Sequence, residues 1–318
     1  MQATALPISS GSTFLRALHA MSIHHRTPAF ATLVSAALLL GACAGGPQPE
    51  TPGPAAREEI VAVTVSNHLL RFNAGQPQKV RDRKPLTGLL PAESIIGVDY
   101  RVSRGELLAL GLSGQLYKID VARGVATRIG MPAVLPTEGI EWAFDVNPTV
   151  DRVRVANDAG FNLRLHPETG AVVDGDANTP GTQFDGRLAY DSSDTHSRKP
   201  PRIVGAAYTY NKTNDKITTN YALDGGLGTL VHQGSKEGVT PMVSPNTGRL
   251  YTVGSLGIGS FEHATFDISD LAPTAYAGVR KTEEKATRWH RVDLVTGKAT
   301  FIGTVGGGEA LVGAAIEP

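Results

Sequence analysis

The sequence predicts an all-β fold, a five-bladed β-propeller closed by its own C-terminal strand, after an N-terminal signal and a flexible tether. Three observations lead there. LYKIDVARGVATRIG (116–130) returns as HRVDLVTGKATFIG (290–303), so one structural phrase is written twice. Around each copy lies a four-strand package with period-two alternation and many β-branched residues, which excludes helical solenoids of similar period. The chain is rich in turn formers, with 36 Gly and 20 Pro, and only 6% of its residues are aromatic.

Each package opens on an apolar strand a that usually carries Asp near its end. These are IIGVDYR from Ile95, EWAFDVN from Glu141, GRLAYDS from Gly186 and HATFDIS from His263. Strand b follows as LLALGLS, RVRVAND, VGAAYTYN or TAYAGVR. Strands c and d are QLYKIDV with ATRIG, FNLRLHP with AVVDG, TNYALDG with TLVHQG, and WHRVDLV with ATFIG, joined by Gly-containing turns. The aspartates Asp99, Asp145, Asp191 and Asp267 are 46, 46 and 76 residues apart, which is blade spacing with one insertion.

The termini complete the ring. VAVTVSN, LLRFNAG and QKVRD, starting at Val61, Leu69 and Gln78, read as strands b, c and d of a blade without its own strand a. LVGAAIE, from Leu311, supplies it, with Ala315 in the Asp column. Such closure leaves no free sheet edge at the join. Two residues before that column stand Gly97, Ala143, Ala189, Thr265 and Gly313, small enough for strands crowding an axis.

The apolar run from Ala29 to Ala42 follows His24, His25 and Arg26 and is too short for a membrane span, so it reads as a secretory signal. Leu40-Gly41-Ala42-Cys43 resembles the bacterial lipobox, which makes Cys43, the one cysteine, a lipidation site and the mature N-terminus. Met21 gives a signal of ordinary length and is a candidate true start. The expected organisation is a signal at 1–42, a lipidated Cys43 with a Pro- and Gly-rich linker over 43–59, and a propeller over 60–318. Ala44 after the cysteine, in place of Asp, directs the expectation to an outer-membrane anchor. Thirty basic residues balance thirty acidic ones without long runs, so the membrane is met through lipid and no nucleic-acid partner is expected.

The segments GVDYRVSRGELLALGLSGQLYKIDVARGVATRIG (97–130), FDVNPTVDRVRVANDAGFNLRLHPETGAVV (144–173) and RVDLVTGKATFIGTVGGG (291–308) closely resemble the bacterial domain-of-unknown-function 4394 family. The likeness runs from about Ile60 to the end and departs at 174–186, 194–201 and 234–262. It implies export and a propeller-like repeat, and brings no activity with it.

Familiar catalytic signatures are absent: no nucleophile elbow, no phosphate loop, no His-Glu-x-x-His and no second Cys. The repeated Asp99, Asp145, Asp191 and Asp267 read first as turn-capping residues, since a carboxylate at the a-to-b turn accepts turn N–H groups. Their rival role is catalytic, as axial carboxylates of a carbohydrate-active or other hydrolytic propeller. The long d-to-a loops converge on one mouth and carry Glu138, Glu141, Asp185, Glu262 and Glu309, the candidate ligand-binding residues. Asp174-x-Asp176-x-Asn178 with Asp185 at the twelfth position has calcium-loop spacing, although Thr179 replaces the turn Gly and Pro180 follows it. Trp142, Trp289 and the scattered histidines read as packing or surface residues. The expected function is a noncatalytic binding or interaction module for an unknown protein or small-molecule ligand. A hydrolytic enzyme and a purely structural envelope protein are the alternatives.

Overall fold

The computed structural model describes residues 50–318. The signal, Met21, Cys43 and the linker up to residue 49 lie outside the described residues. The strands, in chain order, are β1 (Glu59–Thr64), β2 (His68–Asn73) and β3 (Val80–Pro85), then β4 (Ile95–Arg101), β5 (Glu106–Gly111), β6 (Leu116–Asp120) and β7 (Val125–Ile129). There follow β8 (Trp142–Asn147), β9 (Arg152–Asn157), β10 (Asn162–Leu165), β11 (Ala189–Tyr190), β12 (Ile203–Tyr208), β13 (Asn220–Asp224), β14 (Thr229–Gln233) and β15 (Arg249–Ser255). The last are β16 (His263–Ile268), β17 (Ala275–Arg280), β18 (Arg288–Val292), β19 (Ala299–Thr304) and β20 (Leu311–Ile316).

They form five sheets, and β20, β4, β8, β12 and β16 are the inner strands, each packed beside the next around one axis. The chain is a five-bladed propeller. β20 pairs antiparallel with β1, so the C-terminus completes the first blade as the sequence predicts. The repeated phrase is the outer hairpin of two blades, β6–β7 and β18–β19. In both, an Asp side chain accepts turn N–H groups, Asp120 from Arg123 and Asp293 from Val295 and Thr296. A left-handed glycine closes each turn, Gly124 at φ 67° and Gly297 at φ 82°, a conformation that side chains with a Cβ resist.

The fourth blade departs from the sequence reading. GRLAYDS is not an inner strand: its β11 pairs in parallel with β15 at the outer edge. The inner strand is β12, buried along its whole length, so every assignment in this blade moves one place inward. RLYTVGS, taken as insertion, is the outer strand β15. The axial small column is therefore Gly97, Ala143, Gly205, Thr265 and Gly313, with Ala207 rather than Asp191 in the Asp column. A Cβ on Gly205 would stand 3.1 Å from the Cβ of Phe266, which explains the glycine. In the third blade AVVDG forms no strand. It contributes a single bridge, Leu165 to Val172, beside a three-stranded sheet.

Ordered contacts begin ahead of Ile60. Glu50 accepts from Thr304, and Asn73 holds both the N–H and the carbonyl of Ala56. The described part of the linker thus lies against the propeller.

The core is divided among the blade seams. Between blades two and three, for example, Leu108, Leu110 and Leu116 meet Phe144, Val153 and Val155. Fully burying such a side chain contributes about 1.5–3 kcal/mol, so each seam is a substantial fraction of net stability. One polar device reinforces the seam between blades three and four. Asp185, 6% exposed, lies between the guanidinium groups of Arg154 (2.6 Å) and Arg164 (2.7 Å).

Candidate ligand pocket at the axial mouth

The axis has two distinct ends. At the ends where the inner strands finish, Asp99, Asp145 and Asp267 converge, with one carboxylate oxygen of each within 4.8 Å of the others. Each reaches across a seam. Asp99 accepts from the N–H of Val146 (2.8 Å), Asp145 from Tyr208 (2.8 Å) and Asp267 from Ile316 (2.5 Å). The expectation of turn capping is thereby corrected for these three: the amides belong to the next blade. Asp191, outside the column, caps its own turn through the N–H of Ser193.

Burial pushes all three axial carboxyls up, Asp99 to about 7, and the charges of neighbouring members raise Asp145 and Asp267 further. Above them the axis is almost filled. The space among Gly97, Ala143, Gly205, Thr265 and Gly313 is about 10 Å³, room for roughly one water.

At the other end the inner strands begin, and a pocket of about 240 Å³ opens. Ile95 and Ile96 of β4, Trp142 of β8, His263 of β16 and Val312 of β20 line it, with Val65 and Ile140 from loops. Arg280 joins them because it ends β17 directly opposite His263 in the antiparallel register. Glu141 stands just before β8. The carboxylate of Asp158 accepts from the N–H groups of Ile140 (2.9 Å) and Glu141 (3.2 Å), and Asn157 donates to the carbonyl of Glu138 (2.7 Å). The loop so held aims the Glu141 carboxylate across the mouth to His263 Nδ1, at 2.6 Å.

Three lining residues carry a buried nitrogen without a hydrogen-bond partner: Trp142 Nε1, His263 Nε2 and Arg280 Nε. Trp142 and His263 are 5% and 7% exposed. An unpaired buried polar group costs roughly 1–3 kcal/mol, so three in one pocket form an uncommon grouping. The arrangement combines these nitrogens with aliphatic lining residues and one carboxylate already engaged.

Of the residues the sequence reading placed at the mouth, Glu141 lines this pocket. Glu138 takes part through its carbonyl. Glu262 accepts from Thr282 and borders a separate depression with Arg202 and Lys281. Glu309 is tied to Ser66 and Arg83. Asp185 is away from the mouth, buried between two arginines. The calcium spacing is likewise not assembled with Asp185. Asp174 accepts from Asp176 and Gln183, and Asp176 from Asn178 and Thr179, as local turns. Among the described residues, the one acidic group close enough to share an ion is the axial triad.

Sequence reasoning missed Arg280, and it read His263 as a structural or surface histidine and Trp142 as a packing residue; Trp142 does pack in the seam between blades two and three, with its edge at the mouth. The signal available was positional: the first residue of each inner strand stands at the mouth, and an aromatic or basic residue there is out of character for a crowded axis. Trp289 is likewise core as expected, stacked on Tyr276 at 5.8 Å and edge-on to Phe72 at 5.2 Å.

Fold and site together define a five-bladed propeller with a filled axis and a pocket at each mouth, the one around Trp142 and a second of about 220 Å³ at the carboxylate end, lined by Val102, Pro148, Tyr210 and Asp270 among others. The chain belongs to the family described as a domain of unknown function, DUF4394, whose model matches residues 68–315. No curated protein sequence matches it. Among solved structures, a chain of a nidogen/laminin complex is similar at 11% identity and TM-score 0.45, covering 82% of this chain and 98% of that one. TolB from Acinetobacter baumannii is similar at 12% identity and TM-score 0.39, over 78% of this chain and 53% of TolB. A putative 6-phosphogluconolactonase from Bacteroides uniformis stands at 14% and 0.41, over 78% of this chain and 82% of its own. Likeness at this level carries no argument about function.

Proposed function

We propose that the protein is an exported, lipid-anchored binding module whose noncatalytic propeller holds a ligand in the pocket at the axial mouth. The observation that supports the reading is the cluster of unpartnered nitrogens on Trp142, His263 and Arg280 around one open pocket. A convergent set of polar groups in an otherwise apolar concavity is what ligand sites share. The axial carboxylates on which a hydrolytic reading depends are buried at the opposite end and engaged with neighbouring strands.

Thermal unfolding with a panel of small carboxylates, amides and sugars tests the pocket. A ligand present at a hundredfold its Kd stabilises by about 2.7 kcal/mol, several degrees for a domain of this size. The shift is expected in the wild type and lost in Trp142→Phe. An equal shift in the variant, or none with any compound, would remove the pocket from consideration. The anchor rests on Cys43 and its flanks, and Cys43→Ala is expected to leave an unprocessed or soluble protein. A mature, detergent-dependent form of that variant would contradict lipidation.

A further inference from the structure

We propose that the ligand of this pocket is a small organic carboxylate with an apolar body. The inference rests on the pocket being the binding site and adds the chemical class of its occupant. Among the described residues, the guanidinium of Arg280 makes no ion pair and donates no hydrogen bond. Neither does it stack on a ring, as Arg187 and Arg288 do. Its Nε is buried without a partner although the side chain as a whole is part-exposed, and an unmet buried donor is unfavourable. Trp142 Nε1 can only donate. A carboxylate only accepts, through two oxygens matched to the planar fork of a guanidinium, so its chemistry suits both residues.

Glu141 is the one acid lining the pocket, and it already faces His263 Nδ1. That contact orients the imidazole. Apart from Ser94 the remaining walls are aliphatic, with Val65, Ile96, Ile140 and Val312 partly or largely exposed, so the body of the ligand is apolar rather than sugar-like. The volume, about 240 Å³, lies just below the roughly 300–1,000 Å³ of drug-sized sites and sets a small molecule.

Calorimetric titration of the folded propeller with hexanoate and with its neutral isostere hexanamide tests the class. Hexanoate is expected to bind, and hexanamide to bind roughly tenfold or more weakly, the loss of a charge-assisted pair. Arg280→Gln should weaken hexanoate by a similar factor without weakening hexanamide, and Arg280→Lys should restore part of the difference. Equal affinity for acid and amide, or undiminished hexanoate binding by Arg280→Gln, overturns the assignment. Should Arg280→Gln fail to fold, the acid-to-amide ratio in the wild type and in Arg280→Lys decides. Neutral compounds that bind in a Trp142-dependent way where hexanoate does not would overturn the carboxylate and leave the pocket standing. If neither acid nor neutral compound binds there, both readings fall.

Discussion

A chain ending at Ala310, without β20, is expected to lose cooperative unfolding altogether. β20 is the inner strand of the first blade, and it alone pairs with the inner edge of β1. Removing it exposes that edge and the apolar residues packed on Leu311, Ala314 and Ile316. It also takes away the Ile316 N–H that Asp267 accepts, leaving a buried carboxylate without its partner across the seam. Two of the five inner-strand contacts disappear, those with β4 and β16. Two large aliphatic side chains at about 1.5–3 kcal/mol each, together with a strand of backbone pairs, approach the 5–15 kcal/mol that holds a typical domain together. Circular dichroism melting of the truncated chain checks this. A sharp transition within a few degrees of the full-length protein would show that closure contributes little.

The axial triad gives the second large effect, and it runs with pH. An acid whose folded pKa is raised holds its proton more tightly in the fold than in the unfolded chain. Its contribution to stability is complete below the ordinary Asp value of 3.8 and is lost as pH rises through the folded value. For Asp99 that window runs from 3.8 to about 7, and at about 1.4 kcal/mol per unit it amounts to several kcal/mol. Asp145 and Asp267 are raised in the same direction by burial and by charged members of the group. Other carboxyls act oppositely. Asp151 is held low by hydrogen bonds from the Arg101 guanidinium and gives up its contribution on acidification. The triad is therefore read as a difference between variants. Asp145→Asn keeps a carbonyl for the Tyr208 N–H and removes one of the competing charges. It is expected to match or exceed the wild type by a few kcal/mol at pH 8, with the advantage vanishing by pH 4. Urea unfolding at the two pH values measures it, and parallel pH profiles would contradict a strained, proton-sharing triad.

Much of the ring was legible because its pattern is local. An apolar strand ending in Asp identified β4, β8 and β16, and the missing strand of the first blade pointed to Leu311–Ile316. The fourth blade was misread for two physical reasons. Ala207 replaces the Asp that marks its inner strand, while GRLAYDS carries an Asp that caps an ordinary turn. Moreover, Asp224 accepts from Gly226 and Leu227 and Gly228 closes the turn at φ 63°, so an inner hairpin wears the dress of the outer phrase. The pocket was legible only as a face. Glu141 could be placed at a mouth, but its pairing with a histidine 122 residues away depends on which inner strands stand across the axis. Arg280 is a strand-end residue whose importance comes from what does not surround it, and no spacing encodes that.

The binding account depends on Trp142 more directly than on any other residue. The chain has two tryptophans, Trp142 in the seam between the second and third blades where it also lines the mouth, and Trp289 in the core between the fifth and first blades. Indole ¹⁵N–¹H resonances, assigned with Trp142→Phe and followed during titration with hexanoate, separate the two. The expected result is a saturable shift of the Trp142 signal while the Trp289 signal stays in place. A Trp142 signal unmoved by hexanoate and by every neutral fragment tried would contradict a ligand site at the axial mouth.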